Sequence, residues 1–203
     1  LSQTNPAAPV TDHGVAMKLA DVSWAGKMLW APDAAEANGQ YYLYFPAKRA
    51  NGIFQIGVAI SDSPAGPFKP EPDAIKGSYS IDPAVFKDTD GSYYMYFGGI
   101  WGGQLQRWRN GTFNAEQPES PFAFLPEANE PALCAKVAKL TDDLLEFAET
   151  PKDVLITDEN GEPLPGVNVV EKGTTNGTLT DATGKFKLSV KSDKAILSIS
   201  FIG

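Results

Sequence analysis

A motif that occurs twice is the feature of this sequence that most constrains its fold. The stretches APDAAEANGQYYLYF from Ala31 and DPAVFKDTDGSYYMYF from Asp82 each carry a Pro-Asp or Asp-Pro pair, a polar turn and an alternating aromatic run. Their turn glycines stand at positions 39 and 91, a spacing of 52 residues. A unit repeated at about this period is typical of propeller blades built from four strands. The sequence therefore predicts an all-β propeller, in which the residues that open each repeat lie near the central axis.

Composition favours β structure and narrows the class of ligand. The 203 residues include four Trp, seven Tyr and eleven Phe, with 19 Gly and 16 Pro to supply turns. The net charge of −8 argues against nucleic acid or an anionic membrane as partner, because both are bound through basic patches. A neutral polysaccharide is compatible with this charge. No apolar run reaches the roughly 18 residues of a membrane span, and the single Cys134 excludes an internal disulfide.

Turn residues and aromatic alternation predict three regions along the chain. Residues 1–10 are a disordered lead-in, and residues 11–151 contain the repeats, with strands expected at Tyr41–Phe45, Ile53–Ile60 and Tyr93–Phe97. The stretch LTDDLLEFA, residues 140–148, predicts one or two helical turns capped by Thr141. Residues 152–203 contain no Trp or Tyr and form a second unit. Its strands are expected at residues 154–157, 167–172, 185–190 and 196–201.

Four motifs in the first part resemble glycoside hydrolase family 43. They are TDHGV from Thr11, WAPDA from Trp30, IGVAISDSPAGPF from Ile56 and SIDPAVFKDTDGSYYMYFGG from Ser80. The resemblance covers about residues 11–151, and the motifs occur in the family's order and spacing. It implies a five-bladed β-propeller that hydrolyses xylosides, arabinosides or related hemicellulose linkages with inversion. This chain would hold about two to three of the five blades.

The last quarter of the chain is similar to a different family. The stretch ITDENGEPLPGVNVVEKGTTNGTLTDATGKFKLSV, residues 156–190, resembles the carboxypeptidase regulatory-like domain of TonB-dependent receptors in Bacteroidetes. The resemblance implies a small β-sandwich, here truncated, that serves folding or interaction. We expect the junction between the two resemblances within residues 155–166.

The family resemblance assigns Asp82 the role of the carboxylate that tunes and orients the general acid. Pro83 after it favours an extended backbone at Asp82. An Asp that ends a turn before a strand is the alternative interpretation. Trp30 and Trp101 are candidates to stack on sugar rings, although packing between blades would explain them equally well. Asp33 matches a family residue with a structural or substrate-adjacent role, while Phe54 and Gln104 are weaker candidates for the pocket rim.

Two further carboxylates are needed for inverting hydrolysis, one as general base and one as general acid. The family's base lies upstream of TDHGV, where this chain has only LSQTNPAAPV, without Asp or Glu. The acid would lie where the receptor-like segment begins. We therefore expect no useful glycosidase activity from this chain alone. No Gly-rich phosphate loop or metal-spaced His pair occurs, so no cofactor and no metal are expected.

Three functional hypotheses follow from the sequence. The first is an incomplete family 43 propeller that binds an oligosaccharide or polysaccharide, and the second is a hydrolase that recruits the missing carboxylates from another subunit. The third is a non-enzymatic interaction module linked to glycan uptake. Open blade edges predict self-association. The chain begins at Leu1 rather than Met and shows no signal segment, which is compatible with a mature secreted product or with an internal fragment. A periplasmic or secreted location is expected.

Overall fold

The structure is a computed structural model, and it describes residues 2, 7–116, 123–126, 133–155, 160–190, 192 and 195–200. These residues form antiparallel strands and three short 3-10 turns, without an α-helix. The strands are β1 (Asp33–Ala37), β2 (Gln40–Lys48), β3 (Phe54–Ser61), β4 (Lys69–Pro70), β5 (Ala84–Lys87), β6 (Tyr93–Phe97), β7 (Lys136–Lys139), β8 (Lys152–Asp153), β9 (Asn168–Glu171), β10 (Gly177–Leu179) and β11 (Leu197–Ser200). The all-β prediction is confirmed.

The chain divides into two compact units. The first comprises Leu1–Gln117 and Ala135–Lys152, and the second comprises Pro118–Cys134 and Asp153–Gly203. Half of the predicted lead-in, residues 1 and 3–6, lies outside the described residues.

The first unit contains two four-stranded sheets, one for each copy of the repeated motif. The first sheet has the order β1-β2-β3-β4 and the second has the order β5-β6-β7-β8. In the first sheet, β1 turns into β2 at Asn38 and Gly39, whose φ values of 54° and 74° suit a tight hairpin. The meander order of both sheets is that of propeller blades, which confirms the interpretation of the 52-residue spacing.

Residue alternation along the strands builds the core between the two sheets. Tyr44 and Ile56 from the first sheet share one buried cluster with Met95 and Phe97 from the second. Burial raises the pKa of Tyr44 well above its usual value, and the protonated hydroxyl donates a hydrogen bond of 3.1 Å to the Leu144 carbonyl. Apolar packing therefore joins the two sheets, and a buried hydrogen bond joins the first sheet to the loop that follows β7.

The remaining face of the first sheet is covered by residues 16–29. Phe45 and Ala59 on this face contact Trp24 and Leu29 from the covering segment. The Trp24 ring stacks on Phe45 with centroids 6.0 Å apart. A Cβ at Gly57 would lie 2.7 Å from both rings, so this stack requires glycine at that position.

The prediction of helical turns in residues 140–148 is wrong. Leu140 and Phe147 pair as an antiparallel bridge, and the residues between them form a loop. The Thr141 hydroxyl donates to Asp143 at 2.6 Å and lies 3.1 Å from the Glu146 carbonyl. Tertiary contacts override the local helix propensity here, because Leu140 and Leu144 are buried in the core between the sheets.

The second unit contains a three-stranded sheet with the order β10-β9-β11. Strands at β9 and β11 were expected, whereas β10 was not predicted, and residues 185–190 form no strand. Residues 156–157 of the first expected strand lie outside the described residues. Val167 and Val169 are the buried apolar residues in the described part of the second unit. The Lys185 ammonium pairs with the Asp153 carboxylate at 3.1 Å.

A strained turn precedes the second sheet and carries Asp82. Ser80 and Asp82 have φ values of 64° and 58°, in the left-handed region that non-glycine residues rarely adopt. The expectation of an extended backbone at Asp82 is therefore wrong. The fully buried Ser80 hydroxyl accepts a hydrogen bond from Gly99 N at 2.8 Å and donates one to Gly99 O at 3.0 Å. Gly98 N donates to the Ile81 carbonyl at 2.9 Å, so three hydrogen bonds hold the turn against its strain.

Removal of the Ser80 hydroxyl should destabilise the first unit. We expect Ser80→Ala to lower the free energy of unfolding by about 2 kcal/mol, because two hydrogen bonds are lost and the Gly99 N–H is left unpaired. Ser80→Gly should lose less, since glycine adopts positive φ without a steric penalty. Denaturant titration measures both changes. Ser23→Ala, which removes an exposed hydroxyl bonded to the Pro72 carbonyl, is the matched control. Equal effects of Ser80→Ala and Ser23→Ala would contradict this account of the turn.

Self-association should occur through the outer face of the second sheet. Phe86 and Tyr96 on this face are 56% and 40% exposed, and exposed apolar faces of this kind favour association. We expect sedimentation velocity to detect concentration-dependent association that the double variant Phe86→Thr/Tyr96→Thr reduces. Val15→Thr, at an apolar residue 69% exposed outside the strands, is the control. A compact monomer at every concentration would overturn the prediction.

Candidate functional site

Asp82 lies at the start of the second sheet with its carboxylate open to solvent. It is exposed and stands two residues before β5. A Cβ built on Gly99 would come within 3.2 Å of Asp82 Oδ2 and within 2.6 Å of Ile81 Cγ1. The absence of a side chain at position 99 therefore leaves the space in which the carboxylate sits. Strained backbone that the surroundings hold in place is common at functional sites.

Asp33 opens the first sheet and connects it to the second. Its Oδ2 accepts a hydrogen bond of 2.6 Å from Val85 N in β5. The residue is half-buried. Asp33 therefore joins the opening strands of the two sheets, and one of its carboxylate oxygens is already occupied. This placement agrees with a structural or substrate-adjacent role and gives no support for a free catalytic base.

Trp30 immediately precedes β1 and is 39% exposed. Its ring packs against Phe54, with centroids 4.7 Å apart and planes inclined by 48°. A Cβ at Gly102 would lie 3.4 Å from the far edge of the indole, so the glycine lets the two segments approach. Phe54 is fully buried, so the expectation that it lines the rim is wrong. It supports Trp30 from behind.

Trp101 presents the most exposed indole of the site, at 55%. It begins the 3-10 turn Trp101–Gly103, and its backbone is held by the buried Gln106. The Gln106 amide accepts from Trp101 N at 2.9 Å and donates to Trp101 O at 3.3 Å. Both indoles are exposed, Trp30 at 39% and Trp101 at 55%, although Trp30 also packs against Phe54 of the first sheet.

Gln104 ties the segment of Trp101 to the first sheet. Its Oε1 accepts from Phe54 N at 2.9 Å, and its Nε2 donates to the Gly52 carbonyl at 2.9 Å. Both polar ends of the side chain are therefore engaged with backbone. Gln104 is better described as an anchor of the aromatic wall than as a rim residue. We use "aromatic wall" for Trp30 and Trp101 with Phe54 behind them.

The structure brings the predicted residues to one end of the two sheets. Trp30 and Asp33 stand at the start of the first sheet, Asp82 at the start of the second, and Trp101 follows β6. Sequence reasoning missed Ser80 and Gln106, the buried polar residues that fix Asp82 and Trp101. The pairs Gly98-Gly99 and Gly102-Gly103 were the available signal, because closely spaced glycines mark close backbone approach.

A lysine lies against Phe54 of the aromatic wall. The Lys48 ammonium lies 4.7 Å from the centroid of the Phe54 ring. Burial lowers the pKa of Lys48 below its usual value, and the nearby cations Lys27 and Arg107 lower it further. The charges at this end of the first sheet are therefore unevenly distributed, with basic groups beside Phe54.

The described part of the chain contains no cluster of three His, Cys, Asp or Glu side chains arranged to hold a metal ion. The only histidine, His13, is exposed and places Nε2 2.6 Å from Ser2 Oγ. In the ranges that the structure covers, no helix has the length and hydrophobicity needed to span a membrane.

Comparison with known proteins places these observations in a family. The profile of glycosyl hydrolases family 43 matches residues 10–123, and the profile of the CarboxypepD_reg-like domain matches residues 154–203. Xylosidase/arabinosidase 43A of Humicola insolens is 56% identical over 169 residues, which is 81% of this chain and 50% of that protein.

The first part of the chain is similar to a solved structure, and the last part is similar to a receptor. The beta-xylosidase/alpha-arabinofuranosidase from a compost microbial metagenome, in complex with xylotriose, is 60% identical with a TM-score of 0.69, over 77% of this chain and 47% of that one. The TonB-dependent receptor SusC of Bacteroides thetaiotaomicron is 53% identical over 49 residues, 24% of this chain and 5% of the receptor. The chain spans about half the length of the curated xylosidases it matches. Since the family profile covers more than half of the chain, this protein belongs to glycoside hydrolase family 43, with a carboxypeptidase regulatory-like segment at its end.

Proposed function

We propose that this chain supplies a sugar-binding half of a family 43 site for hemicellulose-type xylosides and arabinosides. The observation that carries the proposal is the convergence of Asp82, Asp33 and the exposed indoles at one end of two stacked sheets. Indole faces stack on the apolar faces of pyranose rings, and carboxylates accept hydrogen bonds from sugar hydroxyls. The relatives named for xylosidase or arabinosidase activity, one of them solved with xylotriose, support this class of substrate.

We propose further that Asp82 acts as the carboxylate that tunes and orients a general acid. Its open carboxylate at the strained start of the second sheet suits a group that faces substrate and a second carboxyl group. The roles of base and acid fall on no residue of these 203 that matches the family pattern. One carboxylate cannot both activate water and protonate a leaving group, so the chain by itself binds sugar without cleaving it.

The proposal predicts no turnover by the 203-residue chain. Aryl β-xylosides and aryl α-arabinosides, assayed by release of the phenol, should give rates equal to those of buffer. The expected reason is the lack of a paired base and acid. Turnover that Asp82→Asn abolishes would contradict the proposal and support the hypothesis that a second copy supplies the other carboxylates.

The same proposal predicts weak sugar binding through the indoles. Titration with xylotriose should change the Trp fluorescence, and Trp101→Ala should weaken binding at least about fivefold because stacking is lost. Phe86→Ala, on the outer face of the second sheet, should leave the affinity unchanged. If Trp101→Ala and the parent chain bind xylotriose equally, the aromatic wall is not the binding surface.

A second candidate function is interaction with a glycan-uptake receptor through the last segment. The 53% identity to SusC over 49 residues favours it. We expect the immobilised chain to retain a TonB-dependent receptor and the variant Val169→Asp to lose it, because Val169 is fully buried in the sheet of the second unit. Trp101→Ala should retain the receptor. Equal retention by the Val169→Asp variant would exclude the segment as the interaction site.

A further inference from the structure

Two lysines and Phe54 form a row across the first sheet at the end that carries the aromatic wall. Lys27 pairs with Lys48 in an antiparallel bridge, with Lys48 N donating to Lys27 O at 2.9 Å and Lys27 N donating to Lys48 O at 3.2 Å. On the other side of β2, Lys48 stands directly opposite Phe54 in β3. Directly opposite residues in antiparallel pairs place their side chains on the same face. The two ammonium groups and the ring therefore share one face.

That face is the one directed at the second sheet. The same pairing register places Ile56 opposite Pro46 and Val58 opposite Tyr44, and both Ile56 and Val58 belong to the core between the sheets. Lys48 ends β2, whereas Asp33 begins β1 opposite Tyr44. The row of lysines thus lies on the inner face, beyond the buried core, where the sheet opens beside Trp30.

The row is electrostatically unbalanced. Like charges placed directly opposite in a sheet destabilise it, and neither Lys27 nor Lys48 forms an ion pair with a carboxylate among the residues that the structure covers. Lys48 is half-buried, which raises the cost of its charge, and Arg107 adds a third positive charge nearby. A bound anion would remove this cost, since it would pair with both ammonium groups at once.

The distance between the Lys48 ammonium and the aromatic wall limits the kind of molecule that could carry such an anion. The Lys48 ammonium and the Trp30 ring each lie 4.7 Å from the centroid of the Phe54 ring, so they are separated by no more than twice that distance. A substituent on a sugar stacked on Trp30 needs to span no more than this distance to meet Lys48. A carboxylate on a neighbouring sugar matches both the charge and the spacing.

We propose that Lys27 and Lys48 form a subsite for the carboxylate of a uronic acid carried as a substituent on a xylan-type oligosaccharide. This inference rests on the proposed function, because it places the backbone of that oligosaccharide on the aromatic wall. It extends the function by assigning a charged side group of the substrate to a defined pair of residues. The chain would then prefer acidic hemicellulose over the neutral polymer, despite its own net charge of −8.

The test compares two sugars on the full chain. Affinities for xylotriose and for xylotriose bearing one glucuronic acid are measured by Trp fluorescence at low salt and at high salt. We expect the acidic sugar to bind about fivefold more tightly at low salt, as one or two partly exposed ion pairs provide, and the preference to vanish at high salt. Lys48→Met and Lys27→Met should each reduce the preference while leaving the affinity for xylotriose unchanged. Lys48→Arg should retain it.

Matched controls separate the subsite from general effects of charge. Lys87→Met removes an exposed lysine at the far end of β5 and should keep the preference for the acidic sugar. Because Lys48→Met relieves repulsion, its thermal unfolding temperature should not fall below that of the parent. A purely structural role of Lys48 would lower that temperature and weaken both sugars equally, which would overturn the inference.

Other outcomes are equally decisive. The inference is wrong if free glucuronate or phosphate binds as tightly as the acidic sugar and if Trp30→Ala does not weaken binding of the acidic sugar. The row of lysines would then be a general anion site. Equal binding of the two sugars overturns the inference but leaves the proposed function standing. If neither sugar binds, both are overturned.

Discussion

The packing of the first sheet against the second is the constraint on which the site depends. Tyr44 and Ile56 meet Met95 and Phe97 in one buried cluster, which fixes the sheets face to face. The hydrogen bond from Val85 to Asp33 then holds the first strands of the two sheets together at their starts. Without this packing, the indole segments and Asp82 would belong to separate four-stranded sheets, each with an apolar face exposed to water. The placement of the proposed sugar-binding residues at this end is therefore a consequence of how the sheets stack.

The fold of the first unit was accessible from sequence because its strands are long and their alternation is regular. The runs Tyr41–Phe45 and Tyr93–Phe97 lie within or coincide with β2 and β6, since period-two aromatic patterns leave few alternatives. Residues 140–148 were misjudged because Thr141 and the acidic residues after it are favourable at a helix start. The buried positions of Leu140 and Leu144, set by contacts remote in sequence, decided the outcome instead. In the second unit, where the strands are short and contain few aromatic residues, the sequence predicted β9 and β11 but not β10.

The site could be located from sequence, but its construction could not. Repeated Asp-Pro and Pro-Asp pairs pointed to strand starts, and Asp33 and Asp82 do stand there. The local rule for a residue before proline predicted an extended Asp82, whereas its φ is 58°. The difference arises from the Ser80 hydroxyl and Gly99, which are nineteen positions apart in sequence and bonded twice in the fold. Contacts of this kind have no local signature, so the conformation of Asp82 had to be observed.

Net charge and local charge constrain different properties of this protein. A net charge of −8 acts at long range and disfavours polyanions that approach the surface as a whole. Lys27 and Lys48 act within a Debye length, on whatever lies beside Trp30. Since salt screens distant charges more than near ones, the adjacent ammonium groups outweigh the remote acidic residues, and an acidic protein can recognise an acidic side group on an otherwise neutral polymer. In the proposed subsite, the stacking of the sugar backbone would supply the position, and the paired ammonium groups would discriminate between backbones that carry a carboxylate and those that do not.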